Sequence, residues 1–262
     1  MRKHLSAAVA ASLLSMTACA AQTTTQPPAQ PAPAGAPMAL PPQGPPPGAR
    51  LPNEVHWFRN SAEMRASFLQ AYRLAGDQLR QAAAGQAPGS WAVILDADET
   101  VLDNSLYQKR LAERQEMMRP DTWTAWVREE AGTALPGAAA FTKMVHDMGG
   151  KVVIVTNRDE PLCDATRSNL RKAGITVDHT ICRTDMTSGN KTPRYRAVEA
   201  GTAGGGLGPL RVLMWVGDNI GDFPDQSQAI RSGGDAAFER FGRSFIMLPN
   251  PMYGSWQANP PM

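Results

Sequence analysis

The chain has 262 residues, a hydrophobic content of 42% and a formal net charge of +2. This length allows one substantial domain with additional segments, and the composition is typical of a protein with a soluble globular core. So small a charge, without a dense stripe of Lys and Arg, argues against nucleic acid as a partner.

The N-terminus is typical of a secretory signal peptide over residues 1–19. A basic start precedes the apolar stretch 5–16, which is too short to span a bilayer. The letters LSMTAC resemble a bacterial lipoprotein box, in which Cys19 is lipidated after cleavage. Ordinary cleavage after Ala18 or Ala20 is the alternative.

Residues 20–52 are rich in Pro, Ala, Gly and Gln, which predicts a disordered tether between the signal peptide and a folded domain over 53–262. A tether behind a lipidated Cys19 would serve as a spacer from the membrane. We therefore expect an exported protein that is lipid-anchored to the outer membrane, with a soluble periplasmic or secreted form as the alternative.

Two segments of the folded domain are predicted to be helical. The first helix is predicted to begin with a capping box formed by Asn60 and Glu63, and to end near Gly85. The second segment, 105–134, carries two tryptophans and lies outside the alternation of strands and helices. Together these parts, about 53–88 and 104–135, are predicted to form a small helical subdomain over the strand ends.

The rest of the domain alternates between apolar strands and helices. This pattern predicts an α/β fold with a mostly parallel sheet covered on both faces. The predicted strands are 91–95, 151–155, 179–182, 212–216 and 245–248. The predicted helices lie around 141–148, over 161–174, and after Thr192, which is expected to cap a helix that has Pro193 at its first position.

Cys163 and Cys182 lie in the folded part of the chain. An exported compartment permits a disulfide between them, and buried free thiols are the alternative. The spacing of the two cysteines leaves both open.

Four aspartates follow two of the apolar strands. Asp96 and Asp98 come after strand 91–95, and Asp218 and Asp222 come after strand 212–216. Ligands of open α/β sheets bind at this edge. Carboxylates that converge there repel one another unless a cation lies among them, and Mg²⁺ prefers such oxygen ligands. The sequence therefore predicts a Mg²⁺ site and phosphate chemistry.

A carboxylate such as Asp96 can attack phosphorus, and Asp98 can protonate the leaving oxygen and then activate water. Thr156 and Asn157 end the second strand, and Lys191 precedes a helix start, where an anion would be favoured. Taken singly, Thr156 and Asn157 are better explained as turn caps, and Lys191 as a solvated surface residue.

The order of these motifs resembles the four-aspartate branch of the haloacid-dehalogenase-like phosphatase superfamily. Further motifs narrow the resemblance to bacterial class C nonspecific acid phosphatases, which are often exported lipoproteins. These motifs are ILDADETVLDNS, PDTWTAWV, IVTNRD, GNKTPRY, GDNIGDF and LPNPMYGSW, and the resemblance covers about 54–256. It implies a Rossmann-like core and a phosphoric monoester hydrolase that acts as an acid phosphatase or 5′-nucleotidase.

The resemblance also implies residue roles. Asp96 would be the nucleophile and Asp98 the acid/base, while Asp96, the Asp98 carbonyl and Asp218 would bind Mg²⁺ with Asp222 close by. The family usually has Asp at the position of Gly221, which is not one of the two expected acids.

Substrate contacts follow from the same resemblance. Thr156, Asn157 and Lys191 would hold the phosphoryl group. Trp123 and Tyr253 would flank the substrate and stack on a base without reading its identity, which favours nucleoside monophosphates together with other phosphomonoesters.

Rival phosphatase chemistries lack their motifs. The sequence has neither a reactive His beside Arg, nor a Cys-x₅-Arg motif, nor a GxxxxGK[ST] phosphate loop. Two alternatives stay open: phosphotransfer to an alcohol acceptor, and a non-catalytic surface-binding lipoprotein. The preferred substrate and the oligomeric state, monomer or homo-oligomer, are open as well.

Overall fold

The computed structural model describes residues 50–185 and 188–260. The predicted signal peptide, the lipidation site Cys19 and nearly all of the predicted tether lie outside the described residues. Over the described ranges, no helix combines the length and the apolar character that crossing a membrane requires.

A five-stranded sheet lies at the centre of the domain. Its strands are β1 (Trp91–Leu95), β4 (Lys151–Asp159), β5 (His179–Arg183), β6 (Arg211–Gly217) and β7 (Phe245–Met247). They are ordered β5-β4-β1-β6-β7, and every neighbouring pair runs parallel. The α/β class and the five predicted strands are thereby confirmed. Every residue of β1 is buried, as expected for a central strand with both faces covered.

Helices cover both faces of this sheet. The seven helices of the described residues are α1 (Asn53–Asn60), α2 (Ala62–Ala82), α3 (Ser105–Arg114), α4 (Pro120–Glu129), α5 (Ala138–Asp147), α6 (Cys163–Lys172) and α7 (Thr192–Ala200). On one face, Phe68 of α2 and Phe141 of α5 belong to the same apolar core as Val93 of β1. On the other face, Tyr195 of α7 packs in a core with Trp215 of β6.

Two predicted helix caps are displaced by one residue. Asn60 is the last residue of α1, and the N-cap of α2 is Ser61, whose side chain accepts a hydrogen bond from the Met64 backbone N–H at 3.0 Å. Thr192 is the first residue of α7, and Lys191 takes the N-cap position. Ser and Asn are comparable caps, so adjacent candidates are separated only by the backbone conformation.

The helices of the two segments predicted as a helical subdomain pack in two different places. The long α2 packs on the sheet with α5, because its apolar stripe covers the sheet face rather than the strand ends. A separate small core forms between α3, α4 and Leu162. The predicted segment 105–134 also ends in a strand: β3 (Thr133–Ala134) pairs antiparallel with β2 (Leu102–Asp103).

A disulfide joins Cys163, the first residue of α6, to Cys182 in β5. It links a helix on one face of the sheet to the edge strand. The choice between a disulfide and free thiols, which the sequence leaves open, is resolved in favour of the disulfide.

Candidate active site

Three of the four aspartates converge at the carboxyl edge of the sheet. Asp96 directly follows β1, Asp218 directly follows β6, and Asp222 lies in the short 3₁₀ turn Ile220–Asp222. One carboxylate oxygen from each of the three lies within 4.8 Å of the other two. Because β1 and β6 are parallel neighbours, their ends bring the acids together, as the sequence predicts.

The Asp222 carboxylate is fixed by its own turn. Its Oδ2 accepts a hydrogen bond from the Asn219 backbone N–H at 2.9 Å. The Tyr195 hydroxyl donates to the backbone carbonyl of Asp222 at 2.8 Å. Gly217 makes room for this side chain, since a Cβ at Gly217 would lie 2.3 Å from the Asp222 Cβ. The glycine is therefore required by the close approach of the acid.

Lys191 supplies a cation to the acidic cluster. Its side chain is only 3% exposed, and its Nζ donates to Asp222 Oδ1 at 2.7 Å and to Asp96 Oδ1. Burial alone would lower the pKa of Lys191, but the Asp222 and Asp96 carboxylates outweigh it and hold that pKa above its ordinary value. The ammonium therefore stays charged beside Asp96.

The cluster resists full ionisation. Burial raises the pKa of Asp96 to about 7 against the opposing effect of Lys191. Burial, and then the charges of Asp222 and Asp96, raise the pKa of Asp218 well above its ordinary value. The three carboxylates outnumber the Lys191 ammonium that faces them. Their oxygens therefore form a donor set that fits a hard divalent cation.

Asp98 lies in different surroundings. Its Oδ1 accepts hydrogen bonds from Asn104 Nδ2 at 2.8 Å and from the Arg158 guanidinium, at 2.7 Å from Nη2 and 3.0 Å from Nε. The Arg158 side chain is almost completely buried. No role was predicted for Asn104 or Arg158, although Asn104 lies in the motif ILDADETVLDNS and Arg158 lies in IVTNRD.

Thr156 and Asn157 lie within β4 rather than after it, because the strand continues to Asp159. The buried Thr156 hydroxyl oxygen accepts from the Arg158 backbone N–H at 3.1 Å. Asn157 is exposed, and its amide donates to the Gly189 carbonyl at 2.9 Å. Arg194 on α7 donates to the carbonyl of Thr156 and to the side chain of Asn157, both at 2.5 Å. This arginine is a further residue that the sequence analysis missed.

Two cavities meet at Asp98. The first, of about 730 Å³, is lined by Asp98, by the acidic cluster and by Lys191. The second, of about 680 Å³, is lined by both predicted stacking residues, Trp123 and Tyr253, and also by Asp98. Tyr253 also lines both cavities, so the cavity with the aromatic residues adjoins the cavity with the acids.

Solved structures and curated sequences of known proteins are similar to this chain. A class C acid phosphatase from Bacillus anthracis has a similar structure, with a TM-score of 0.67, 30% identity, and coverage of 78% of this chain and 85% of that chain. The same TM-score and coverage, at 29% identity, are found for the Bacillus anthracis enzyme with tungstate bound. Acid phosphatase 1 of Solanum lycopersicum is 28% identical over 160 residues, which cover 61% of this chain and 57% of that relative.

The chain thus matches little more than half the length of this plant relative. The model of the HAD superfamily, subfamily IIIB (acid phosphatase), by contrast matches residues 48–256 and so includes every residue of the site described above. The chain therefore belongs to subfamily IIIB of the HAD superfamily, the acid phosphatase subfamily.

Proposed function

We propose that the chain is a Mg²⁺-dependent phosphomonoesterase, an acid phosphatase and 5′-nucleotidase, that acts through an aspartyl phosphate on Asp96. The observation that carries the proposal is the position of Asp96. It accepts a hydrogen bond from the Lys191 ammonium, lies close to Asp218 and Asp222, and lines the cavity of about 730 Å³.

The donor set supports the choice of metal. Asp96, the Asp98 carbonyl and Asp218 would hold Mg²⁺, with Asp222 close by, because hard oxygen ligands suit this ion. When bound, the ion supplies positive charge that offsets the repulsion between these carboxylates and a phosphate dianion.

The residues of the site are proposed to have different roles in the reaction. Asp96 attacks phosphorus, and Asp98 gives a proton to the leaving oxygen and later takes one from the attacking water. Thr156, Asn157 and Lys191 hold the phosphoryl group. The tungstate bound in the Bacillus anthracis relative supports such a site, because tungstate, like phosphate, is a tetrahedral oxyanion.

Nucleoside monophosphates are the proposed substrates. Trp123 and Tyr253 line the cavity that adjoins the acids, and a base stacked on an aromatic ring gains about 1–3 kcal/mol whatever its identity. A nucleotide could thus keep its phosphate at Asp96 and its base in the second cavity.

Phosphate release from several nucleoside monophosphates and from glycerol phosphate, with Mg²⁺ and with chelator, tests the proposal. Trp123→Ala should lower kcat/KM for a nucleotide by roughly tenfold or more, with a much smaller loss for glycerol phosphate, which has no ring to stack. Trp123→Phe keeps a ring and should lose less. An equal loss on both substrates would make Trp123 a packing residue.

The same assay separates the alternatives. An alcohol acceptor can intercept an aspartyl phosphate, so a phosphotransferase would release more nucleoside than phosphate when glycerol is added. A purified protein that releases phosphate from none of these esters with any divalent metal would favour a non-catalytic surface-binding role.

We also propose that the protein is exported and anchored to the outer membrane by lipid on Cys19. The support is the sequence of the N-terminal segment alone. Cys19→Ser should shift the protein from the membrane to the soluble fraction after cell fractionation, and mass spectrometry of the mature N-terminus should find no lipid. A mature wild-type chain with an unmodified Cys19 would contradict the anchor.

A further inference from the structure

We propose that Arg158 is a positioning residue that orients Asp98 so that its Oδ2 atom, rather than Oδ1, exchanges the proton with the leaving group. This inference rests on the phosphomonoesterase function proposed above. It adds a residue to that chemistry and assigns the proton to one of two carboxylate oxygens.

The hydrogen bonds to Asp98 distinguish its two oxygens. Oδ1 accepts three of them, from Asn104 Nδ2 at 2.8 Å and from Arg158 Nη2 and Nε at 2.7 and 3.0 Å. Among the residues that the structure describes, Oδ2 receives only a longer contact of 3.3 Å from Arg158 Nε. A carboxylate oxygen offers roughly two lone-pair sites, so Oδ1 has no capacity left and Oδ2 retains it.

Arg158 is itself held rigidly. Its Nη2 also donates to Asn104 Oδ1 at 3.2 Å, and its Nη1 lies 3.4 Å from Thr166 Oγ1. Asn104 is fixed in turn, because the Trp126 indole N–H donates to the same Oδ1 at 2.8 Å. The side chain of Arg158 is 1% exposed and that of Asp98 is 19% exposed. The buried arginine therefore holds a carboxylate that still reaches both cavities.

The planar guanidinium is suited to this task. Two of its nitrogens contact one carboxylate, which fixes the carboxylate plane, whereas a lysine ammonium would act as a single point charge. The guanidinium carbon also lies 5.5 Å from the centroid of the Trp123 ring. Arg158 thus contacts both the acid/base residue and the aromatic wall of the second cavity.

The chemistry gives the proposal a specific signature. As Asp96 forms its bond to phosphorus and the bond to the leaving oxygen breaks, the proton on Asp98 Oδ2 passes to that oxygen. The water that later cleaves the aspartyl phosphate returns a proton to Asp98. An alkoxide leaving group needs this proton, whereas p-nitrophenolate leaves readily without it.

The test compares the release of alcohol in the first turnover from glycerol phosphate and from p-nitrophenyl phosphate, both with Mg²⁺. In Arg158→Gln, the rate for glycerol phosphate should fall by about a hundredfold, within the usual range of acid–base catalysis. The rate for p-nitrophenyl phosphate should fall by less than about tenfold, because the first turnover with this ester depends little on the acid. KM should change little for either ester, since Arg158 is not proposed to touch the phosphoryl group.

Arg110 provides a matched control. It forms a bidentate contact with Glu129, at 2.6 and 2.9 Å, and its guanidinium lies 5.4 Å from the Trp126 ring centroid, but its side chain is 37% exposed. Arg110→Gln should leave the rates of alcohol release from both esters unchanged. If Arg158→Gln does not fold, Arg158→Lys serves instead. It keeps the charge but lacks the planar guanidinium, so it should show the same selective loss of rate on glycerol phosphate.

The outcomes separate the two proposals. The positioning role alone would be overturned if the wild type is active and the folded Arg158 variants lose rate equally on both esters. The same holds if these variants lose rate on neither ester. A wild type that releases alcohol from neither ester would overturn the phosphomonoesterase function and this inference with it.

Discussion

Replacing Asp218 with Asn should stabilise the metal-free protein and should also remove most of the stabilisation that Mg²⁺ gives. Asp218 is half-buried and lies among carboxylates, with one oxygen no more than 4.8 Å from oxygens of Asp96 and Asp222. Two unit charges at that distance repel by about 3 kcal/mol at an effective dielectric constant of about 20. Lys191 offsets part of the two repulsions, so about 3 kcal/mol is the expected gain.

The substitution preserves the neighbouring hydrogen bonds. Asp218 accepts from Thr100 Oγ1 at 3.2 Å and from Asn250 Nδ2 at 2.8 Å. An asparagine can still accept from Asn250 with its Oδ1, and its Nδ2 can donate to the Thr100 hydroxyl. The change in stability should therefore report charge rather than lost contacts.

The pH dependence of this gain follows from the raised pKa of Asp218. The folded-state pKa is well above the ordinary value of 3.8, so the wild type loses stability as the pH rises from about 3.8 towards that higher value. The asparagine variant lacks this loss. Its advantage should be absent near pH 4 and should grow as the pH rises towards the folded-state pKa of Asp218.

Thermal unfolding, followed by circular dichroism at pH 8 with chelator and with Mg²⁺, measures both effects. For a domain of roughly 200 residues, about 3 kcal/mol corresponds to a rise in Tm of about 6–12 °C. The wild type should gain about 3 kcal/mol from Mg²⁺ at a hundred times its Kd, and the variant much less.

Asp225→Asn removes an equal charge from an exposed residue of the same cavity and should change stability by less than about 0.5 kcal/mol. A variant that melts below the wild type in chelator, or gains as much from Mg²⁺, would refute the reasoning.

Three further predictions test other parts of the site and fold. Asp96→Asn should fold and yet show no turnover of phosphomonoesters, because an amide cannot attack phosphorus. Gly217→Ala should destabilise the protein by about 1–3 kcal/mol and raise the Mg²⁺ concentration needed for activity, because its Cβ would displace Asp222; melting curves and metal titrations measure both. Replacing Cys163 and Cys182 together with Ser should cost about 3 kcal/mol of unfolding free energy in denaturant titrations, since a cross-link over 19 residues is removed, with little effect on kcat.

The sequence was sufficient to predict the strands of the sheet and the convergence of the acids, and both predictions have one physical reason. Buried parallel strands are continuous apolar runs, so β1 and β6 are visible as such, and any residue that directly follows such a strand lies at one edge. Asp96 and Asp218 therefore meet without any knowledge of the helices. The approach of Asp222 also depends on Gly217, which lies five residues before it in the sequence.

Features that depend on tertiary packing were not predicted. Both Asn60 and Ser61 can cap a helix, and the choice depends on where α1 ends. The position of α2 on the sheet depends on which apolar surface it covers. The contact between Asp98 and Arg158 joins residues 60 positions apart, and a buried arginine has no periodic signal in a sequence.

The two aspartates of the DADET motif illustrate how much environment adds to sequence. Asp96 and Asp98 are chemically identical and two residues apart, yet one faces the Lys191 ammonium among carboxylates and the other faces a guanidinium and an amide. Two carboxylates can perform different tasks in one reaction when their surroundings differ in this way. An ammonium next to Asp96 is a compact charge that can also bind phosphoryl oxygens, whereas the guanidinium next to Asp98 fixes an orientation. The proposed roles of nucleophile and acid/base thus fall to two acids that contact different cations, and exchanging Lys191 and Arg158 should preserve the net charge while removing both functions.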